Sequence, residues 1–274
     1  MRGSAIGQTV AALNKITAIG SSRHQAKERA RSAGAKTSHE ISALTGIYSH
    51  NTLLQYRKTT IDLMHFIKES CGVKDITQIT EAHISQFLAY KITSKIKYSS
   101  FKTYSSGLGK LCIALNMIDH QHRDWSQAIT AEKKVARQKL SSDYTSRAYA
   151  DPRSIITNLD NDAYRLVAEI QYQCGTRVSE ATHIKQEQLV GNNVLLLTNT
   201  KGGRVRQITL PPEIYHNLET YLKHRNGVFT VDRQGYRLAL HHAATMSCQQ
   251  WHGTHGLRWN YVQKRLLDLQ QAGC

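Results

Sequence analysis

The run Tyr104, Leu108, Leu111 and Leu115, at i, i+4, i+7 and i+11, is the cleanest helical stripe in the chain, and only a helix puts all four on one face. It has company. Leu53, Leu54, Ile61, Met64 and Ile67 repeat at helical spacing between Ser49 and a stop at Cys71-Gly72. Ile84, Phe87 and Leu88 mark a second helix after Thr80, and a more polar helix follows over about Ser126 to Leu140. Past Ser141 to Ser146, polar and without period, a second region opens at Asp151-Pro152 with a helix near Asn161 to Gln173. There the period changes. Val194 to Thr198 and Val205 to Leu210 read as two strands joined by a turn containing Gly202-Gly203, which predicts an antiparallel hairpin. Pro211-Pro212 restarts a helix that stops at Asn226-Gly227; another runs about Leu238 to Gln250, and Gly253-Thr254 caps the last. The expectation is a mainly α protein with one small antiparallel β element.

Charge narrows the partner. Lys and Arg number 36 against 20 Asp and Glu, a net charge of +16, so a polyanion is the leading candidate. Residues 1 to 150 hold 22 of the basic and 10 of the acidic side chains, which makes the N-terminal half the main electrostatic grip. Residues 1–47 mix Gly, Ser, Ala and basic residues, with Arg23, Lys27 and Arg31 in one stripe, and read as a basic arm ahead of a helical domain over 48–145. Within that domain Lys91, Lys95, Lys97 and Lys102 surround Tyr98 and Phe101, and Lys133, Lys134, Arg137 and Lys139 line the polar helix; all are candidates for phosphate or sugar contacts, with solvated surface as the plain reading. Five widely spaced cysteines argue for reduced thiols, and neither cysteine nor histidine spacing suggests a metal. No signal peptide or membrane-length apolar run is present, so a soluble, cytoplasmic protein is expected, with no small-molecule substrate or cofactor.

The chemistry-bearing residues lie in the second half. Gly175-Thr176 breaks the chain and caps a new helix from Arg177, with Glu180 one turn in. An arginine there opposes the helix dipole but suits an anion; pairing with Glu180 on a wet surface is the competing reading. Lys201, beside Gly202-Gly203, sits in the hairpin turn with Arg204. In the last helix His255 and Arg258 share a face at i, i+3.

Taken in order, Gly-Thr-Arg177-x-x-Glu180, the turn Lys201-Gly-Gly and His255-x-x-Arg258 resemble the catalytic domain of the tyrosine recombinases, the phage and mobile-element integrases. The helical region upstream resembles that family's core DNA-binding domain, with residues 150–274 as an α+β catalytic domain. The resemblance implies that Arg177 and Arg258 clamp the non-bridging oxygens of one DNA phosphate, that Lys201 is the general acid for the departing 5′ oxygen, and that His255 assists at the phosphate while Glu180 orients the arginines. It implies double-stranded DNA as partner, with full-length recombinase protomers beside it on the nucleoid, strand breakage through a 3′-phosphotyrosyl intermediate, and no metal. One element of the pattern is missing. The family's nucleophilic tyrosine lies a helix or two beyond His-x-x-Arg; Tyr261, the one tyrosine after Arg258, sits in the same helix at i+3, where relatives carry a core residue. The expectation is an incomplete catalytic domain, truncated before the nucleophile, that keeps DNA binding; the alternative is a non-catalytic protein that occupies recombination sites.

Overall fold

Ser49, Thr80, Asp151 and Asn161 each accept a backbone N–H from the first turn that follows, so four helix starts fall where short polar side chains precede the apolar stripes. The computed structural model describes residues 3–142, 145–198, 200 and 204–273. It divides into two compact units, Met1–Tyr144 and Thr145–Cys274.

The first unit is helical: α1 (Ala5–Asn14), α2 (Arg23–Ser32), α3 (Ser38–Ala43), α4 (His50–Cys71), α5 (Glu81–Thr93), α6 (Tyr98–Asp119) and α7 (Ser126–Lys139). Helices α4 and α6 form its spine, and they approach closely because Gly107 presents no side chain to Thr59; an added Cβ would lie 3.0 Å from Thr59 Cγ2. Leu63, Met64, Ile67, Phe87, Leu108 and Leu111 are buried between the helices. Of the expected α4 stripe Leu53, Met64 and Ile67 are buried, whereas Leu54 is 52% exposed and Leu63, one position before Met64, is buried as well.

Residues expected to form a separate basic arm are built into this unit. Ala12, Leu13, Ile16 and Ile47 join the core of α4 and α6. The Gln8 side chain donates to the Lys74 carbonyl at 3.0 Å and accepts from the Ile76 N–H at 2.8 Å. Lys110, buried on α6, donates its ammonium to the carbonyls of Ser42 (2.6 Å) and Thr45. The mixed composition of the segment hid its sparse apolar anchors.

The second unit holds α8 (Pro152–Thr157), α9 (Asp162–Cys174), α10 (Val178–Ala181), β1 (His183–Lys185), β2 (Val194–Leu197), β3 (Arg206–Thr209), α11 (Pro212–His224), β4 (Val228–Thr230), α12 (Arg233–Met246) and α13 (Gly256–Gln271). Strands β2 and β3 pair antiparallel, Val194 opposite Thr209 and Leu197 opposite Arg206, which is the expected hairpin. A second antiparallel pair, β1 with β4, was not expected, since three-residue strands show no alternation to read. Helix α12 starts five residues before the expected Leu238, at an Asp232 cap whose carboxylate takes the N–H groups of Gln234 and Gly235. Ile184, Leu195, Leu218, Phe229 and Tyr236 fill the core. Among the described residues no helix is long and apolar enough to cross a membrane.

Candidate functional site

Helix α9 ends at Cys174 because Gly175 turns left-handed, at φ 63°. That glycine is also a contact point: the Tyr261 ring lies against its α-carbon, and a Cβ there would sit 2.2 Å from ring Cδ1. Two residues on, Arg177 is the N-cap of α10, which starts at Val178, one residue after the expected Arg177, and lasts a single turn. The Arg177 N–H donates to Glu180 Oε2 at 2.8 Å, and the Arg177 guanidinium donates through Nη1 to Oε1 at 2.7 Å. The carboxylate therefore occupies the positive end of this short helix, and the guanidinium is what remains for an anion.

Glu180 is only 3% exposed, so this is not the wet surface pair of the competing reading. A third donor reaches it: Arg206, the first residue of β3 after the hairpin turn, gives Nη2 to Oε2 at 2.8 Å. Burial by itself would raise the Glu180 pKa, but the hydrogen bonds from the Arg177 backbone and guanidinium and from Arg206 outweigh it and hold the carboxyl below its ordinary range.

Arg258 comes to the same place from α13, donating Nη1 to the Gly175 carbonyl. Its pKa is lowered by burial first, then by the like charges of Arg177 and Arg206. Two guanidiniums thus share the Glu180 carboxylate and a third is held beside them on the Gly175 carbonyl, a partly buried cluster two positive charges in excess. Such a cluster favours a doubly charged or bidentate anion.

The start of α13 is held from two sides. Tyr149 exchanges hydrogen bonds with Asn260 (3.0 Å from its N–H, 2.7 Å to its carbonyl), donates its hydroxyl to Gly253 O at 3.0 Å, and lays its ring on Gly256. From α9, the fully buried Gln171 donates to Thr254 O at 3.1 Å and accepts from the Tyr236 hydroxyl at 2.7 Å. His255, exposed, takes the N-cap position expected of Gly253-Thr254 and stands one turn before Arg258. Lys201 lies outside the described residues.

The structure thus brings Arg177, Glu180 and Arg258 together and adds Arg206, which the sequence reading missed. A signal existed: Arg206 alternates with Ile208 on the more buried face of β3, an odd place for a charge without a partner.

The proposed DNA-contact residues separate into two groups. Lys95, Lys97, Lys102, Lys134, Arg137 and Arg204 are exposed, and Lys102 lies over the Tyr98 ring at 5.3 Å. Lys91 is otherwise engaged, a correction to its expected role: its ammonium is 2.7 Å from Asp62, which also accepts from Tyr104, and 5.0–5.1 Å from the rings of Phe87, Tyr90 and Tyr104. Phe101 is wholly buried and offers no stacking face. Lys133 is half-buried, and burial lowers its pKa. Among the described residues no three His, Cys, Asp or Glu side chains group as metal ligands.

The family model described as "Phage integrase family" matches residues 149–258, from the Tyr149 clamp to Arg258. A second, "Phage integrase, N-terminal SAM-like domain", matches residues 26–115. No curated protein matches the sequence. Among solved structures, the XerH site-specific recombinase bound to its difH substrate, a pre-cleavage complex, is similar with a TM-score of 0.57 at 16% identity, over 94% of this chain and 82% of that one. The Tn1549 transposon integrase in complex with a circular intermediate DNA gives 0.56 at 15% identity, over 90% of this chain and 86% of that one. At these identities the likeness is one of fold.

Proposed function

This chain belongs to the phage integrase family, the tyrosine recombinases, and we propose that it grips duplex DNA with its first unit and holds one backbone phosphate at the cluster of the second, as a site-specific recombinase does. The observation that supports this most directly is the charge excess around Glu180: Arg177 and Arg206 on its carboxylate, and Arg258 from α13 beside them on the Gly175 carbonyl. In this reading Arg177 and Arg258 take the two non-bridging oxygens. Strand transfer builds negative charge on those oxygens, and fixed guanidiniums stabilise it without reorganising. In the same reading His255, at the N-cap of α13, hydrogen-bonds that phosphate, and Lys201 is the proton donor to the leaving 5′ oxygen. The two structural neighbours reported above are complexes with DNA, and double-stranded DNA on the nucleoid, with recombinase protomers alongside, is the partner set this reading carries over.

Tyr261 is not the nucleophile in this proposal. Its ring is spent on the α-carbon of Gly175, a packing role, and these residues supply the pocket rather than the attacking oxygen. The test is whether the protein forms a detergent-resistant adduct on a pool of nicked duplexes. None is expected from the wild-type chain, and binding without adduct is the expected outcome. An adduct lost in Tyr261→Phe would overturn the assignment of Tyr261.

A further inference from the structure

Both oxygens of Glu180 are taken, Oε1 by Arg177 Nη1 at 2.7 Å and Oε2 by Arg206 Nη2 at 2.8 Å. Were Arg177 the sole partner, the two would form a neutral ion pair, and a neutralised guanidinium attracts phosphate poorly. Arg206 changes that balance. It approaches from a different element, β3, on the oxygen that Arg177 reaches only through its backbone N–H. Its own Nε is enclosed without a hydrogen-bond partner, so the Nε–Nη fork that grips phosphate bidentately is not open to a ligand.

The geometry points to Arg206 as the counter-ion of Glu180, a positioning residue that neutralises the carboxylate so that Arg177 keeps its charge for the anion. The inference rests on the phosphate-pocket reading but makes a separate claim, that Arg206 acts through Glu180. Arg206 also stands opposite Leu197 in the pair next to the turn, so the same contact fixes the turn end of the hairpin ladder to α10.

A double-mutant cycle separates action through Glu180 from direct action on the ligand. Inorganic phosphate is titrated into the full chain, with affinity read from the arginine side-chain ¹⁵Nε resonances, for wild type, Arg206→Gln, Glu180→Gln and the double variant. Arg206→Gln is expected to weaken phosphate on the order of 10-fold when Glu180 is present and less than about 2-fold when it is Gln, a coupled rather than additive pattern. Arg206→Lys, which keeps the charge on β3 and guards against a variant that fails to fold, is expected to stay within about 3-fold of wild type. Equal losses in both backgrounds would mean that Arg206 meets the anion itself, and a lysine variant as weak as the glutamine one would mean that packing, not charge, matters; either overturns the proposal. If phosphate moves neither the Arg177 nor the Arg258 resonance in wild type, the pocket reading fails first and takes this inference with it.

Discussion

Tyr261 stacks its ring on the bare α-carbon of Gly175, eighty-odd residues earlier in the chain, at a distance that leaves no room for a methyl group. Gly175→Ala therefore meets two penalties, a positive φ of 63° and a collision with Tyr261 Cδ1. A loss of roughly 2 kcal/mol or more is expected from such strain. Chemical denaturation measures it. Tyr261→Phe keeps the ring and should unfold within about 0.5 kcal/mol of wild type, the range of substitutions that remove no packing.

Glu180 supports a pH dependence whose sign can be stated. Its folded-state pKa lies below the ordinary value of 4.5, so its contribution is complete above that value and fades as pH falls through the folded-state pKa. Denaturant midpoints measured from pH 7 down to pH 3 should decline more steeply in wild type than in Glu180→Gln. Glu180→Ala removes three hydrogen bonds and strands two arginines, and should cost roughly 2 to 4 kcal/mol, somewhat under a fully buried pair because both guanidiniums reach solvent.

Lys110 should titrate far from other lysines. Burial, followed by the field of Arg23, pushes its pKa from 10.5 down to about 8. The folded protein releases this proton before the unfolded chain does, so the Lys110 contribution to stability rises with pH between about 8 and about 10.5. A lysine ¹³Cε signal with a midpoint near 8, absent from Lys110→Met, is the expected NMR result; a midpoint above 10 would show that the ammonium is solvated.

DNA binding and phosphate chemistry should come apart. With most of the positive charge in the N-terminal half, Arg177→Ala and Arg258→Ala should leave duplex affinity within a few-fold, while abolishing any strand cleavage at the cluster. Affinity should fall about 10³ to 10⁵-fold between roughly 50 and 200 mM salt if some 6 to 10 phosphates are neutralised. Fluorescence anisotropy across that range gives the slope. A flat salt response would exclude the polyanion grip.

The elements that bury a regular stripe were legible. Ser49 to Gly72, Thr80 onward and the β2–β3 hairpin fall where period and capping residues put them, because those signals are local. What escaped depended on distance. Nothing near Leu13 or Ile47 in the chain says that they meet α4 and α6, and Lys91 looks like any surface lysine until Asp62 and three rings close round it. Within the site, Arg177 and Arg258 stood in recognisable motifs, whereas Arg206 has meaning only through a carboxylate 26 residues away.

Gly175 ties these parts into one moving body. Its carbonyl holds Arg258, its α-carbon seats Tyr261, and its chain runs directly into Arg177. A swing of that single peptide would carry Arg177 and Arg258 in step. Their spacing is thus settled during folding, so that, on the proposed function, an arriving backbone phosphate would meet a ready-made seat whose ordering entropy has already been lost.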